Sequence, residues 1–355
     1  MAVDAVLRVS DLDAPEAADL ADVRVVSKLG GTLDDSRLVE GLVLDLPAAK
    51  GAGGPSRVEN ARVALIQYQL SPPKSDMENN VVVGDYAAMD RILKEERAHI
   101  LAAVKRVRAA GCNVLLVQKS ILRDAVSDMA LHYLAKAKIM VVRDVERDDV
   151  EFISKTLGLA PVAHPDALLP ERLAHVGLVE EIEAGRSRVV QLTGIQSRGR
   201  TATILLRASN SMVLEEAHRS LHDALCAVRC LVARPALLPG GGAPEVELAL
   251  RLRAWARGLQ GVDMVAVRAF ADALEVIPFT LAENAGLEAI RVVAALRAAH
   301  ARGEASAGID VRKGGISDMN AENVVQPLRV TDSALALATE CVRLILKIDD
   351  VVPVR

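Results

Sequence analysis

No basic run with interleaved aromatics occurs in the sequence, which holds one tryptophan, three tyrosines and three phenylalanines. With a formal net charge of −4, the chain lacks the electrostatic footprint of a nucleic-acid binder. Mean hydropathy is +0.24, yet no uninterrupted apolar run approaches the ~18 residues of a membrane span. Four cysteines are present, Cys112, Cys226, Cys230 and Cys341. The opening MAVDAVLRVSDLD carries acids where a secretory leader needs a basic and then an apolar stretch. The expectation is a cytoplasmic protein in a reducing compartment, with neither nucleic acid nor membrane as partner. Also missing are a Ser/His/Asp or Cys/His nucleophile pattern, a tandem repeat of solenoid period and a complete phosphate-binding loop.

What is present is a globular composition, 51% hydrophobic and 25% charged over 355 residues, enough for two or three domains with their own cores. From Asp85 the pattern predicts a long helix ending at Gly111, with apolar Met89, Ile92, Leu93, Ile100, Leu101, Val104 and Val107. The strand CNVLLVQ, a helix from about Leu122 to Lys136, the strand KIMVVRDV and the helix ERDDVEFISKTLG follow. Helices alternating with short buried strands predict an α/β layer with parallel strands. After the strand TATILLRAS comes a long helix from Met212 to about Ala233, and from about Leu237 the chain reads as helical.

Several clusters carry possible chemistry. His218, His222, Cys226 and Cys230 stand at successive i, i+4 steps and suggest zinc, but the stripe drifts around the helix and no second ligand cluster accompanies it. Asp223, among Leu221, Leu225 and Val228, lies either on a solvated edge or is presented inward, and spacing favours the solvated edge. Pro278 should kink or interrupt its helix; nearby Glu275, Glu283 and Asn284 form a polar edge or a cation site. The loop AGIDVRKGGISD reads as a hairpin turn or as a mobile, ligand-facing loop. In the helix from Leu122, the residues Val126, Met129, Ala130, Tyr133 and Leu134 recur at helical spacing. They form a core face or a groove for partner peptides.

The stretch RPALLPGGGAPEVELALRL, Arg234 to Leu252, sets three glycines before a proline in the first turn of a helix. A glycine-rich turn feeding a helix N-terminus suits an anion. Here no Lys and Ser/Thr follow, no G-x-G-x-x-G spacing is present, and Glu245 and Glu247 add negative charge to the first turn. The expected occupant is therefore not the phosphate end of a ligand.

LGGTLDDSRLVEGLVL, GCNVLLVQKSI, LHYLAKAKIMVVRDVERDDVE, HDALCAVR, GGGAPEVELALRL, RAFADALEVIPFTLAENAG and LKIDDVV together resemble the group II chaperonins along essentially the whole chain. VQKSILRDAVSDMALHYL and VVQPLRV are most similar to one subunit type of the eukaryotic cytosolic branch, a hetero-oligomeric double ring. The resemblance implies an α+β multidomain fold. An intermediate domain (1–34 and 197–236) would receive an inserted α/β apical, substrate-binding domain with a lid protrusion (35–196), followed by the helical C-terminal half of an equatorial ATPase domain (237–355). The helix from Asp85 and the loop before it would form or flank the lid.

By the same resemblance the function is ATP-driven enclosure and folding of client proteins. The expected partners are paralogous subunits and unfolded clients such as cytoskeletal proteins. Asp223 matches the catalytic aspartate that orients the attacking water. Gly241 and Gly242 match backbone that touches the nucleotide, Asp310 and Val311 line the adenine, and Gln326 stands where many relatives place a ribose-binding carboxylate. Val126, Met129, Ala130 and Tyr133 would face the cavity as client contacts. ATP and Mg²⁺ are the implied cofactors. The family's phosphate loop and its acidic Gly/Thr motif for Mg²⁺ have no counterpart in the sequence, so no metal ligand is assigned. The chain resembles the C-terminal two-thirds of a subunit, expected to be inactive alone as an ATPase. An alternative is a nucleotide-independent apical module that binds unfolded peptide. An unrelated α/β nucleotide enzyme fails for want of a complete phosphate motif.

Overall fold

A computed structural model describes residues 1–11, 18–50, 53–72, 83–121, 124–185, 187–195, 199 and 201–353. The chain divides into two units, Met1–Val228 and Arg229–Arg355. The loop at 73–82 that the resemblance places before the lid helix lies outside the described residues.

The first unit begins with helix α1 (Ala2–Val9) and strands β1 (Val23–Leu29), β2 (Arg37–Val39), β3 (Gly41–Leu44) and β4 (Arg57–Ile66). Helix α2 (Tyr86–Ala109), β5 (Val114–Gln118), α3 (Asp128–Lys136), β6 (Met140–Val145) and α4 (Arg147–Leu157) then alternate as the periodicity demands. Strands β7 (Ala174–Ala184), β8 (Ser187–Ile195) and β9 (Ala202–Ala208) follow, and α5 (Ser211–Ala233) leads out of the unit.

A six-stranded sheet has the order β3-β8-β7-β4-β5-β6. Only β4, β5 and β6 are parallel, whereas β7 and β8 form a long antiparallel hairpin and β3 pairs antiparallel with β8. The expected parallel layer is thus half of a mixed sheet. Alternate residues of the parallel strands enter different cores. Val63, Leu65, Val114 and Leu116 pack with Ile153 and Leu157 of α4. Ala64, Ile66, Leu115 and Val117 pack with Val104, Val107 and Leu134 of α2 and α3. Burial on both faces explains why these strands are apolar throughout rather than alternating.

A second sheet has the order β1-β9-β2, with Val23 paired to Ala202 in parallel register. The chain leaves this sheet at β2, builds the six-stranded one, and returns to it at β9. At the crossing, a Cβ on Gly41 would stand 1.9 Å from the Leu192 carbonyl oxygen, so only glycine fits.

Helix α3 is shorter than expected. Ser127 caps it by accepting the Ala130 N–H, and Val126, ahead of the cap, is bridged to Leu70. In α2, Ile100, Val104 and Val107 are buried, while Met89 and Leu93 are exposed (49% and 38%), so its apolar stripe meets a core only in the second half.

The second unit holds β10 (Leu237–Pro239), α6 (Ala243–Ala256), α7 (Val262–Leu274), α8 (Val276–Asn284), α9 (Ala289–Ala301), the hairpin strands β11 (Ala307–Asp310) and β12 (Gly315–Asp318), β13 (Val325–Pro327) and α10 (Leu328–Ile345). Strands β10 and β13 pair antiparallel, as do β11 and β12. Of the two readings of AGIDVRKGGISD, the structure gives the hairpin. Pro278 sits in the first turn of α8, where its missing N–H is no loss, so the helix is broken rather than kinked. Val246, Ala282, Leu296 and Ile309 anchor the core.

Among the described residues no helix is long and apolar enough to cross a membrane, and no group of three His, Cys, Asp or Glu could hold a metal ion. The α5 stripe of His218, His222, Cys226 and Cys230 forms no such group, although Cys226 Sγ approaches His222 Nε2 at 3.6 Å. Burial pushes the Cys112 thiol up to about 12, while Cys341 is exposed. Iodoacetamide at neutral pH is therefore expected to label Cys341 first and Cys112 last in the native protein, read by mass spectrometry. Early labelling of Cys112 would contradict its burial.

Candidate functional site

In the second unit the three glycines form the turn between β10 and α6. Gly241 and Gly242 adopt left-handed φ of 63° and 77°. The Gly240 N–H donates to the Val324 carbonyl (2.8 Å), and the Ile309 N–H donates to the Gly241 carbonyl (2.9 Å). One turn thus gathers the stretches leading into β13 and running along β11. A Cβ on Gly241 would meet the Ile309 nitrogen and Met319 Sδ, each at 2.8 Å, and one on Gly242 would meet Pro278 Cβ at 2.8 Å. The bare backbone was expected to serve a ligand. The structure shows it first serving the protein's own close packing.

The other expected site residues of this unit stand around that turn. Asp310 ends β11, and its carboxylate is engaged within its own loop. Oδ1 accepts the N–H groups of Arg312 (2.8 Å) and Lys313 (3.1 Å), and Oδ2 accepts Ser317 Oγ (3.3 Å). The backbone bond from Lys313, then that from Arg312, holds the carboxyl below its ordinary value against the effect of burial. Asp310 therefore shapes the hairpin loop, and the neighbouring Val311, 52% exposed, offers the apolar surface. Gln326 lies in β13 opposite Leu238; its Nε2 donates to Thr331 Oγ1 (2.9 Å). That bond engages the amide nitrogen and leaves Oε1 as the acceptor of the group.

Glu245, in the first turn of α6, is buried, and its Oε2 has no donor among the described residues. The loop after Asp310 also carries two cations, Arg312 and Lys313, of which Lys313 is paired with Glu322.

Two ion clusters in this unit escaped the sequence. Glu275, expected on a polar edge or as a cation ligand, is instead clamped by arginines. Arg253 Nη1 and Nη2 reach its carboxylate at 2.5 and 2.6 Å, Arg297 Nε reaches it at 2.9 Å, and Arg297 Nη2 also bonds it. His300 pairs with Glu247 at 2.9 Å. Both partnerships span tens of residues, and no local spacing announces them.

In the first unit, Asp223 lies on α5, exposed, with no hydrogen bond or ion pair among the described residues. It is the solvated carboxylate that spacing favoured. Of the four expected client contacts, Val126 and Ala130 are buried (2% and 0% exposed) and present no surface. Met129 and Tyr133 are half-buried against the same core, with part of each side chain accessible.

The TCP-1/cpn60 chaperonin family profile matches residues 1–355. T-complex protein 1 subunit delta of Arabidopsis thaliana is 59% identical over 355 residues, covering 100% of this chain and 66% of the relative. The Homo sapiens subunit delta is 58% identical over 356 residues, with 100% and 66% coverage. The chain thus spans about two thirds (66%) of the length of these curated relatives. Among solved structures, the open-state monomer of a group II chaperonin from Methanococcoides burtonii superposes with a TM-score of 0.69 at 32% identity. It covers 98% of this chain and 79% of that one.

Proposed function

Because the chain belongs to the TCP-1/cpn60 chaperonin family, we propose that it works as the delta-type subunit of a hetero-oligomeric, ATP-dependent cytoplasmic chaperonin ring that encloses and folds client proteins. In this reading the β1-β9-β2 sheet with α1 and α5 belongs to the intermediate domain, which takes β2 (Arg37–Val39) out of the 35–196 range first expected for the apical domain; the six-stranded sheet with α2, α3 and α4 belongs to the apical domain, and the unit from Arg229 mainly to the equatorial domain. The observation that carries the nucleotide part is the glycine turn, bonded to β11 through Ile309 and to the approach to β13 through Val324, which gathers the stretches that bear Val311 and Gln326. The adenine would lie against Val311 and the ribose hydroxyls against Gln326. ATP would supply the free energy of phosphoryl transfer, and groups outside these 355 residues would hold its phosphates and Mg²⁺.

Asp223 is proposed as the carboxylate that orients the attacking water. An exposed aspartate without a hydrogen-bond or ion-pair partner among the described residues is sterically free to approach and orient a water. Met129 and Tyr133 are the accessible client contacts on α3.

The test is ATP turnover in the assembled ring with Asp223→Asn in this subunit. Turnover at its own site is expected to fall by about 10²-fold or more, with nucleotide still bound. This chain by itself is expected to hydrolyse no ATP, since its sequence holds no phosphate loop. Unchanged turnover at the Asp223→Asn site, or robust hydrolysis by the chain alone, would reject the assignment. Peptide binding that needs no nucleotide in any setting would favour the nucleotide-independent module instead.

A further inference from the structure

His300 lies on α9 with a fully buried side chain, and the functional reading above makes no use of it. Each ring nitrogen meets an oxygen. Nδ1 is 2.9 Å from Glu247 Oε2, and Nε2 is 2.9 Å from the Ala307 carbonyl oxygen. A carbonyl has no proton to give. The Glu247 carboxyl is held below its ordinary value by the bond from His300 and, against the effect of burial, by Arg251, whose Nε lies 2.8 Å from Oε1. A neutral imidazole has one N–H and one lone pair, so it satisfies one of these contacts and opposes the other. The imidazolium satisfies both.

The two contacts have a shared address. Glu247 lies about one turn into α6, the helix that the glycine turn feeds. Ala307 opens β11, whose Ile309 N–H donates to the Gly241 carbonyl. The ring therefore ties the helix after the turn to the strand lying on the turn. Of the elements packed on α9, α6 contributes Glu247 and, through it, Arg251, and β11 contributes the Ala307 carbonyl. Glu283 of α8 and Asp318 of β12 make no hydrogen bond or ion pair with the ring, and Asp310 of β11 is engaged in its own loop. Beyond the end of α9, Glu304 pairs with Arg302.

We propose that His300 is a protonated positioning residue that holds the Gly240–Gly242 turn against β11, and so makes the nucleoside side of the cradle depend on pH. The nucleoside part rests on the reading of that turn given above. The sign follows from the bonds. Both are present while the imidazolium persists, and one is lost as pH rises through its titration. At strongly acid pH, protonation of Glu247 breaks the pair from the other side.

The test uses the whole chain with ¹⁵N-labelled imidazole. At pH 6 both His300 nitrogens are expected to carry protons. Across the titration, protection of the Ile309 amide from hydrogen exchange should fall by about tenfold beyond the intrinsic pH effect. ADP affinity, measured by calorimetry, should fall at the same midpoint. Glu247→Gln keeps an acceptor of the same shape without the charge, and should lower the midpoint by about one pH unit or more. This variant spares the fold, where His300→Ala removes a buried ring. A single protonated nitrogen at pH 6, or Ile309 exchange that ignores the midpoint, overturns the proposal. Exchange that follows the midpoint with ADP binding flat or absent leaves the strut standing and rejects the nucleoside reading of the turn.

Discussion

Gly241→Ala is expected to lower the stability of the second unit by several kcal/mol, the largest effect of any single methyl group added to this turn. Two costs combine. A side chain at φ 63° carries a left-handed penalty of about 1–2 kcal/mol. The new Cβ must also stand 2.8 Å from the Ile309 nitrogen and 2.9 Å from its carbonyl oxygen, and such overpacking against backbone costs about 1–3 kcal/mol. Neither neighbour is a flexible tip that can swing aside. The hydrogen bond from Ile309 to Gly241 is therefore expected to break, and β11 to separate from the turn.

Gly286→Ala is the control. It shares the left-handed φ, at 72°, but nothing lies within 4 Å of its Cβ, so only the backbone penalty of about 1 kcal/mol remains. Denaturant unfolding of both variants separates the two costs. Equal losses at Gly241 and Gly286 would show that the close approach to Ile309 is not felt. A loss at Gly241 accompanied by unprotected Ile309 would locate it.

Glu275→Ala should be the second most damaging change. The Glu275 side chain is 5% exposed, and Arg253 and Arg297, at 27% and 46%, converge on it. Removing the carboxylate leaves two guanidinium groups facing each other across a buried gap, with Asp272 available to Arg253 alone. Breaking a buried pair typically costs about 3–5 kcal/mol. Because both arginines reach solvent, about 2–3 kcal/mol is the fitting magnitude here.

The effect has a pH signature. Burial pushes the Glu275 carboxyl up, but the bonds from Arg253 and Arg297 outweigh it and leave the group below its ordinary value of 4.5. A carboxylate depressed on folding stabilises fully above its unfolded value and loses that contribution as pH falls through the folded one. The gap between the parent chain and Glu275→Ala should thus be constant at neutral pH and narrow below about pH 4.5. A gap that widened in acid would mean that Glu275 is protonated in the clamp.

The sequence reading succeeded where forces are local. Apolar spacing in 85–111, the break at Pro278 and the hairpin around Gly314 and Gly315 all follow from nearest neighbours along the chain. It fell short where partners are distant. The β7–β8 hairpin turned half of a supposed parallel layer antiparallel. Val126 was placed on a helix because its spacing matched, yet Ser127 caps the helix after it. The cation site suggested for Glu275 dissolved because its two arginines lie 22 residues away on either side. The glycines were correctly marked as a place where something comes close, but the nearest arrivals are Ile309, Met319 and Pro278.

The pairing of Val23 with Ala202 also bears on how the first unit is born. In the unfolded chain these residues are joined by a very long loop, and closing it costs entropy that no early contact repays. Once the six-stranded sheet has formed, β3 and β8 are already side by side, and the remaining closure is short. The expected order is therefore that the inserted sheet folds first and serves as the template on which β1 finds β9. A core change such as Leu192→Ala should slow the assembly of a sheet to which Leu192 does not belong.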